Sequence, residues 1–219
     1  MHTNENNSDI NATQPTYTYK VNDYEIAVIG AGGIGSHLVS ALVPALHRGD
    51  LLVSTERITI RMYDSDMVSK ENLAHQRFTP DDVGKHKVTA IAESMAPFTS
   101  ERLRVVACPW DVREASDMKP ADLTVVAVDS AVARRVVHSS DTIFLDLRCL
   151  GDGYVALDSS VDPDFVIKMT PDQPARSCQH EDAVRSGNIE FGAEAATSDF
   201  RGAFHVRWFD HFLKGKKTG

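Results

Sequence analysis

Six consecutive residues, Gly30-Ala31-Gly32-Gly33-Ile34-Gly35, read G-x-G-x-x-G directly after a short β-branched run, Glu25 to Ile29, and at the start of a helically spaced apolar series. Glycines in that order permit a tight turn and let backbone N–H groups approach a phosphate at the positive end of a helix. Gly30, Gly32, Gly33 and Gly35 are therefore candidate nucleotide-binding positions, the plain alternative being a strand-helix turn with no ligand. Two acids, Asp64 and Asp66, stand at the exit of the next strand. Asp64 can accept hydrogen bonds from ribose hydroxyls, although its distance from the glycines exceeds the ~20 residues of the dinucleotide fingerprint. The surplus lies in the insertion His47 to Thr55, so Asp64 can still reach a ribose. Asp66 reads either as a second nucleotide contact or as an exposed loop acid.

These residues need strands to carry them and helices to cover the strands. Ile34 to Leu46 has apolar residues at helical spacing, after which Pro44 and the insertion are expected to interrupt the pattern. Arg57 to Tyr63 alternates apolar and polar residues as a strand does. Further along, the pattern predicts a helix from about Lys85 to Met95, strands at Leu103 to Ala107 and Leu123 to Val128, a helix from Ser130 to about His138, and a strand at Thr142 to Leu147. Repeated strand-helix alternation implies an α/β fold of Rossmann-like type, a mostly parallel sheet with helices on both faces. Past Gly151 the order changes: the runs GYVALD and DFVIKMT are expected to form a hairpin-like strand pair, making the sheet mixed, and Ile189 to Leu213 reads as largely helical.

Composition bounds the class. The chain has 219 residues, 42% hydrophobic, enough for one full core and too many for a fibrous or wholly disordered chain. Residues 1–20 are rich in Asn, Thr and Ser, which predicts a flexible tail, followed by a single domain over 21–219. Acids outnumber Lys and Arg by 31 to 23, so a broad electrostatic grip on nucleic acid or anionic lipid is not expected, and any phosphate must be held locally. No apolar run approaches the ~20 residues of a membrane span, and the first residues lack the basic and apolar regions of a secretory signal. A cytoplasmic location is expected. Three cysteines without a C-x-x-C pair argue against a disulfide framework and against a Cys-rich zinc site.

Further motifs follow the glycines in order: Asp64-Ser65-Asp66-Met67-Val68, then Glu71-Asn72-Leu73-Ala74-His75-Gln76, then Asp82-Val83-Gly84-Lys85-His86-Lys87. Together they resemble the ThiF/MoeB/HesA family, adenylating enzymes related to ubiquitin-activating enzymes, whose pattern runs G-x-G-G-x-G, D-x-D-x-V, N-L-x-R-Q and D-x-G-x-x-K. Val128-Asp129-Ser130-Ala131-Val132-Ala133-Arg134 is similar to the family's T-D-N-x-x-x-R turn, and the likeness spans about residues 25–148. The resemblance implies a reaction in which ATP and the C-terminal carboxylate of a small ubiquitin-like or sulfur-carrier protein give an acyl-adenylate and pyrophosphate. Attack on an α-phosphate builds negative charge on oxygen, so it calls for aimed cations more than for a general base. By the same resemblance Lys87 is the catalytic lysine, Asp129 the aspartate working with Mg²⁺, and Asn72 and Gln76 line the triphosphate pocket. Taken alone, Lys87 would read as a solvated helix lysine and Asp129 as a helix cap. Lys85 reads as surface, and Arg134 as either a nucleotide-side group or a helix-face arginine.

The chain also departs from the pattern. His75 stands where the family carries arginine, with Arg77 two residues later. A histidine can supply that charge only when bound phosphate raises its pKa. The helix that in several relatives carries an arginine into the partner subunit has no counterpart in the polar tail, and the zinc-binding cysteine pairs of the sulfur-carrier branch are missing, so no structural zinc is expected. The sequence thus resembles a short, divergent member of the type found in phage and plasmid gene clusters, expected as a homodimer because the family commonly is. Cys178, with His180 nearby, reads either as an acceptor thiol or as a small packing residue. Two other readings stay open: a non-catalytic nucleotide-binding module, and an NAD(P)-dependent oxidoreductase, which lacks a Tyr-x-x-x-Lys pair and room for a substrate domain.

Overall fold

The computed structural model describes residues 23–49, 52, 55–150 and 153–170. Six strands form one sheet in the order β3-β2-β1-β4-β5-β6: β1 is Asp23–Ile29, β2 Arg57–Tyr63, β3 Leu103–Cys108, β4 Leu123–Val126, β5 Phe144–Leu150 and β6 Gly153–Asp158. Every neighbouring pair is parallel except β5–β6. Helices α1 (Gly33–Arg48), α2 (Lys87–Met95), α3 (Ala131–His138) and α4 (Pro163–Lys168) follow β1, β2, β4 and β6, with short 3-10 turns at Lys70–Ala74 and Pro80–Asp82 between β2 and α2.

Alternation of side chains along β1 explains the layering, because successive residues of a strand face opposite sides. Ile26 and Val28 join Ile58, Ile60 and Met62 against Leu38 and Leu42 of α1 and Val88 and Ile91 of α2. Ala27 and Ile29 join Tyr63 and Val126 against Ala133 and Val137 of α3 on the other face. A strand buried on both faces reads as an unbroken apolar run, and Ile26 to Ile29 is one.

The register sets the site. Ile29 pairs with Tyr63 on one side and with Val126 on the other, and Tyr63 pairs with Cys108. The chain therefore leaves β1, β2, β3 and β4 at one level, and the sheet changes direction between β1 and β4, where open α/β sheets place their ligands.

Several expectations are corrected. Pro44 lies inside α1, which continues to Arg48. DFVIKMT is not a strand: Pro163–Lys168 is helix α4, and GYVALD pairs antiparallel with β5 instead. A proline at the first helical position, already lacking an N–H, starts α4 locally. Helix α2 opens at Lys87 rather than Lys85, and β4 ends at Val126, leaving Val128 and Asp129 in the loop. The tail 1–20, the segment Ile189 to Leu213 expected as helical, Cys178 and His180 lie outside the described residues.

Candidate functional site

The glycines divide by the reason each is needed. Gly30 has φ +100°, and a Cβ there would lie 2.5 Å from the Ala127 carbonyl oxygen, so the loop can cross the β4 exit only with glycine. A Cβ on Gly35 would collide with the Gly30 carbonyl. Gly32 differs: its φ of -77° suits any residue, and a Cβ there would meet nothing within 4 Å. Packing does not require glycine at that point; close approach of a ligand would. Gly33 begins α1, which has no side-chain cap and no acidic residue in its first turn. Its free N–H groups and positive end face the sheet's C-terminal edge.

Asp64 clamps this loop. Its carboxylate accepts from Ala31 N–H at 2.7 Å and from Asp66 N–H at 2.8 Å. Burial pushes its pKa up, against those two bonds and the nearby charge of Lys87. Lys87, only 5% exposed, donates from Nζ to Asp66 at 2.7 Å, while the Asp66 side chain is 65% exposed. The solvated-lysine reading is thus excluded. As the first residue of α2, Lys87 also stands at the positive end of a helix, where a cation is disfavoured and an anionic partner is needed.

The segment between β2 and α2 straps onto α1. Asn72 is buried and accepts from Ser69 N–H at 2.9 Å, so its carboxamide oxygen closes its own turn. Buried Gln76 places Nε2 3.2 Å from His75 Nε2, and its Oε1 has no partner among the described residues. Burial, then the charge of Lys87, lowers the His75 pKa. Exposed Arg77 is held by Ser36 Oγ on its N–H and by His37 Nδ1 on its Nε, each at 3.2 Å, at the first turns of α1.

Beyond β4, Asp129 is exposed and has no hydrogen-bond or ion-pair partner among the described residues, while Ser130 caps α3 by accepting from Ala133 N–H at 3.4 Å. Arg134 turns the other way. It is buried, with Nη1 donating to Asp146 and Nη2 to the Val128 carbonyl. No group of three His, Cys, Asp or Glu side chains able to hold a metal ion occurs among the described residues. Mg²⁺ with a nucleotide takes one or two carboxylates plus phosphate oxygens, and the single free carboxylate of Asp129 suits that arrangement.

A cleft of about 640 Å³ that no sequence motif marks opens between the β2 and β3 exits, lined by Ser65, Trp110, Asp111 and Arg113. Trp110 is 46% exposed yet fixed, its Nε1 donating to the Asp117 carbonyl at 2.9 Å and its ring standing edge-on to Tyr63 at 6.0 Å. An aromatic residue just past a strand's C-terminal end was the available signal.

The ThiF family model matches residues 5–196. Among solved structures, the chain is similar to E. coli MccB with AMPCPP and MccA (21% identity, 81% of this chain and 55% of that one, TM-score 0.56) and to E. coli MccB with ATP (19%, 81% and 54%, 0.55). It is also similar to PaaA (16%, 82% and 56%, 0.52). The chain spans little more than half the length of these proteins, and identities this low show the shared fold. The family match, extending over most of the sequence, establishes the relationship: this chain belongs to the ThiF family.

Proposed function

We propose that this chain is an ATP-dependent adenylyltransferase acting on the C-terminal carboxylate of a small ubiquitin-like or sulfur-carrier protein. One observation carries the reading: Lys87 is a buried cation whose acid partner, Asp66, is exposed and can be displaced by phosphate. The similarity to MccB, solved with ATP and with AMPCPP and MccA, supports it.

In the proposed reaction a carboxylate oxygen attacks the α-phosphorus, the bond to the bridging oxygen breaks, and pyrophosphate leaves. The uncapped start of α1 and Gly32 receive phosphate oxygens, and Lys87 neutralises the charge that grows on them. Asp64 holds Ala31 in place and offers the ribose an acceptor; Trp110 presents a ring face on which a base can stack. Asp66 keeps Lys87 paired and aimed until substrate arrives, and Gln76 has a buried oxygen to offer a bound group. Asn72 contributes by shaping the turn. Bound at Asp129, Mg²⁺ would screen the phosphate charges. A homodimer working in the cytoplasm completes the proposal; among the described residues no helix is long and apolar enough to cross a membrane.

ATP-pyrophosphate exchange with small β-grasp proteins ending in Gly-Gly, starting from the product of a neighbouring gene, tests this directly. Exchange that requires such a protein supports the reading. ATP binding without exchange favours a non-catalytic module, for which neutral His75 is the specific observation. Tight NAD binding without ATP affinity would point to an oxidoreductase.

A further inference from the structure

Asp146, in β5, is 0% exposed, and three basic side chains converge on it. Arg148 donates from Nε at 3.1 Å and from Nη2 at 2.6 Å, His138 Nε2 lies 2.9 Å away, and Arg134 Nη1 donates to the remaining oxygen. Burial by itself would raise the Asp146 pKa, but the bonds from His138 and Arg148 and the charges of both arginines hold it at about 2. A buried ion cluster is a weak source of stability, since apolar residues of similar volume commonly do as well. What two fork-shaped guanidinium groups do supply is fixed orientation.

The fixed orientation has an address. The second arm of Arg134 donates to the carbonyl of Val128, the residue bonded to Asp129. On the near side of the loop, Ala127 N–H donates to the Ile29 carbonyl at 2.8 Å. Asp129, lacking side-chain partners among the described residues, has its position set by this backbone.

We propose that Asp146 is a positioning residue for the functional site: through Arg134 it fixes the Val128 carbonyl and thereby aims the Asp129 carboxylate across the mouth of the glycine loop. The proposal rests on the reading of Asp129 as the carboxylate that serves Mg²⁺-ATP. Arg134 then belongs to the support of the site, not to its ligand-facing surface.

Two measurements on the full chain test it, using Asp146→Asn and Arg134→Lys. The first is amide hydrogen exchange in the nucleotide-free protein: exchange at Ala127 and Ala133, whose N–H groups are bonded on either side of the loop, should accelerate about tenfold while β1 and β2 keep their protection. The second is calorimetric ATP affinity with and without Mg²⁺: the enhancement by Mg²⁺ should fall about tenfold, a usual cost of losing an outer-shell support, with metal-free affinity unchanged. Placed on an Asp129→Asn background, the same substitutions should cause no further loss. Unchanged exchange at Ala127 and Ala133 would overturn the proposal, as would equal losses with and without Mg²⁺, or losses that add to those of Asp129→Asn. Should wild type show no ATP affinity or no Mg²⁺ enhancement, the functional reading fails while hydrogen exchange still decides the positioning. If Asp146→Asn does not fold, Arg134→Lys decides alone.

Discussion

The two halves of the sheet's C-terminal edge are built on opposite plans. On the β1–β2 side the candidate acting groups hold one another: Asp64 binds Ala31 of the glycine loop, and Lys87 is paired with Asp66. On the β4–β5 side Asp129 is exposed and without a partner among the described residues, and the ion pairs lie behind it around Asp146. A buried cation that must receive phosphate can be held by an exchangeable partner, as Asp66 holds Lys87. A carboxylate that must receive a hard cation is better left empty and aimed by its backbone. The difference suggests that the first half exchanges one anion for another on binding, whereas the second half only fills.

The comparison breaks most decisively at Lys87. Lys87→Ala should lower adenylate formation by roughly 10²–10³, the usual cost of removing one aimed charge-stabilising donor. Folding stability should change little, because the Asp66 carboxylate left behind is already solvated. Pyrophosphate exchange and thermal melting measure the two quantities, and a variant with wild-type exchange would remove Lys87 from the chemistry.

The glycine loop sharpens the same contrast between support and ligand contact. Gly35→Ala forces a methyl group into the Gly30 carbonyl and should destabilise the fold by about 3 kcal/mol, as overpacking does. Gly32→Ala enters open space and should leave the unfolding midpoint near wild type while weakening ATP binding. Equal loss of stability in both would mean that Gly32, too, is there for packing.

Much of the first half was legible in the chain, because its signals are local. The strand run EIAVI, the G-x-G-x-x-G turn and the acids at the exit of β2 stand close to the elements they terminate, and hydrophobic periodicity finds those elements. The second half is carried by contacts distant in sequence. Arg134 could be read as nucleotide-facing or helix-facing because Asp146, which decides the matter, lies in another element with nothing in the intervening residues to link them. Asp146 and Arg148 share one side of β5 and look like ordinary polar alternation. Helix α4 looks like a strand in the sequence because Asp164 to Thr170 is short and rich in apolar residues, where periodicity does not separate the two. Trp110 escaped notice because a lone aromatic residue in a loop has no periodicity at all.

Acid tests the second half through Asp146. With its folded pKa lowered to about 2 from an ordinary 3.8, Asp146 contributes stability that is fully present above about pH 4 and is lost as pH falls through 2. The displacement amounts to about 2 kcal/mol. Urea unfolding at pH 5 and pH 2 should show that loss in wild type, and Asp146→Asn, less stable at pH 5, should lack this component of the pH dependence. Parallel pH dependence in the two proteins would mean that the cluster does not favour the charged carboxylate.

His75 carries the smallest expected effect, and it tests whether the first half needs a second cation. Burial, followed by the charge of Lys87, lowers its pKa below 6.5, which favours the neutral ring at pH 7 in the free protein. The sign for stability follows: the unfolded chain binds this proton first, so stability is lost as pH falls below about 6.5, modestly for a half-buried ring. For phosphate to make His75 an imidazolium, it would have to overcome both burial and Lys87. Arg77 already has a permanent charge and is tethered by Ser36 and His37 to the first turns of α1. His75→Ala should therefore reduce exchange by less than about tenfold, a neutral hydrogen-bonding group being lost, and Arg77→Ala should reduce it more. Between pH 7 and 9 the His75→Arg and wild-type profiles should overlay. An alkaline fall in wild type that His75→Arg flattens would reverse the assignment, returning the charge to His75 and leaving Arg77 as a surface clamp on α1.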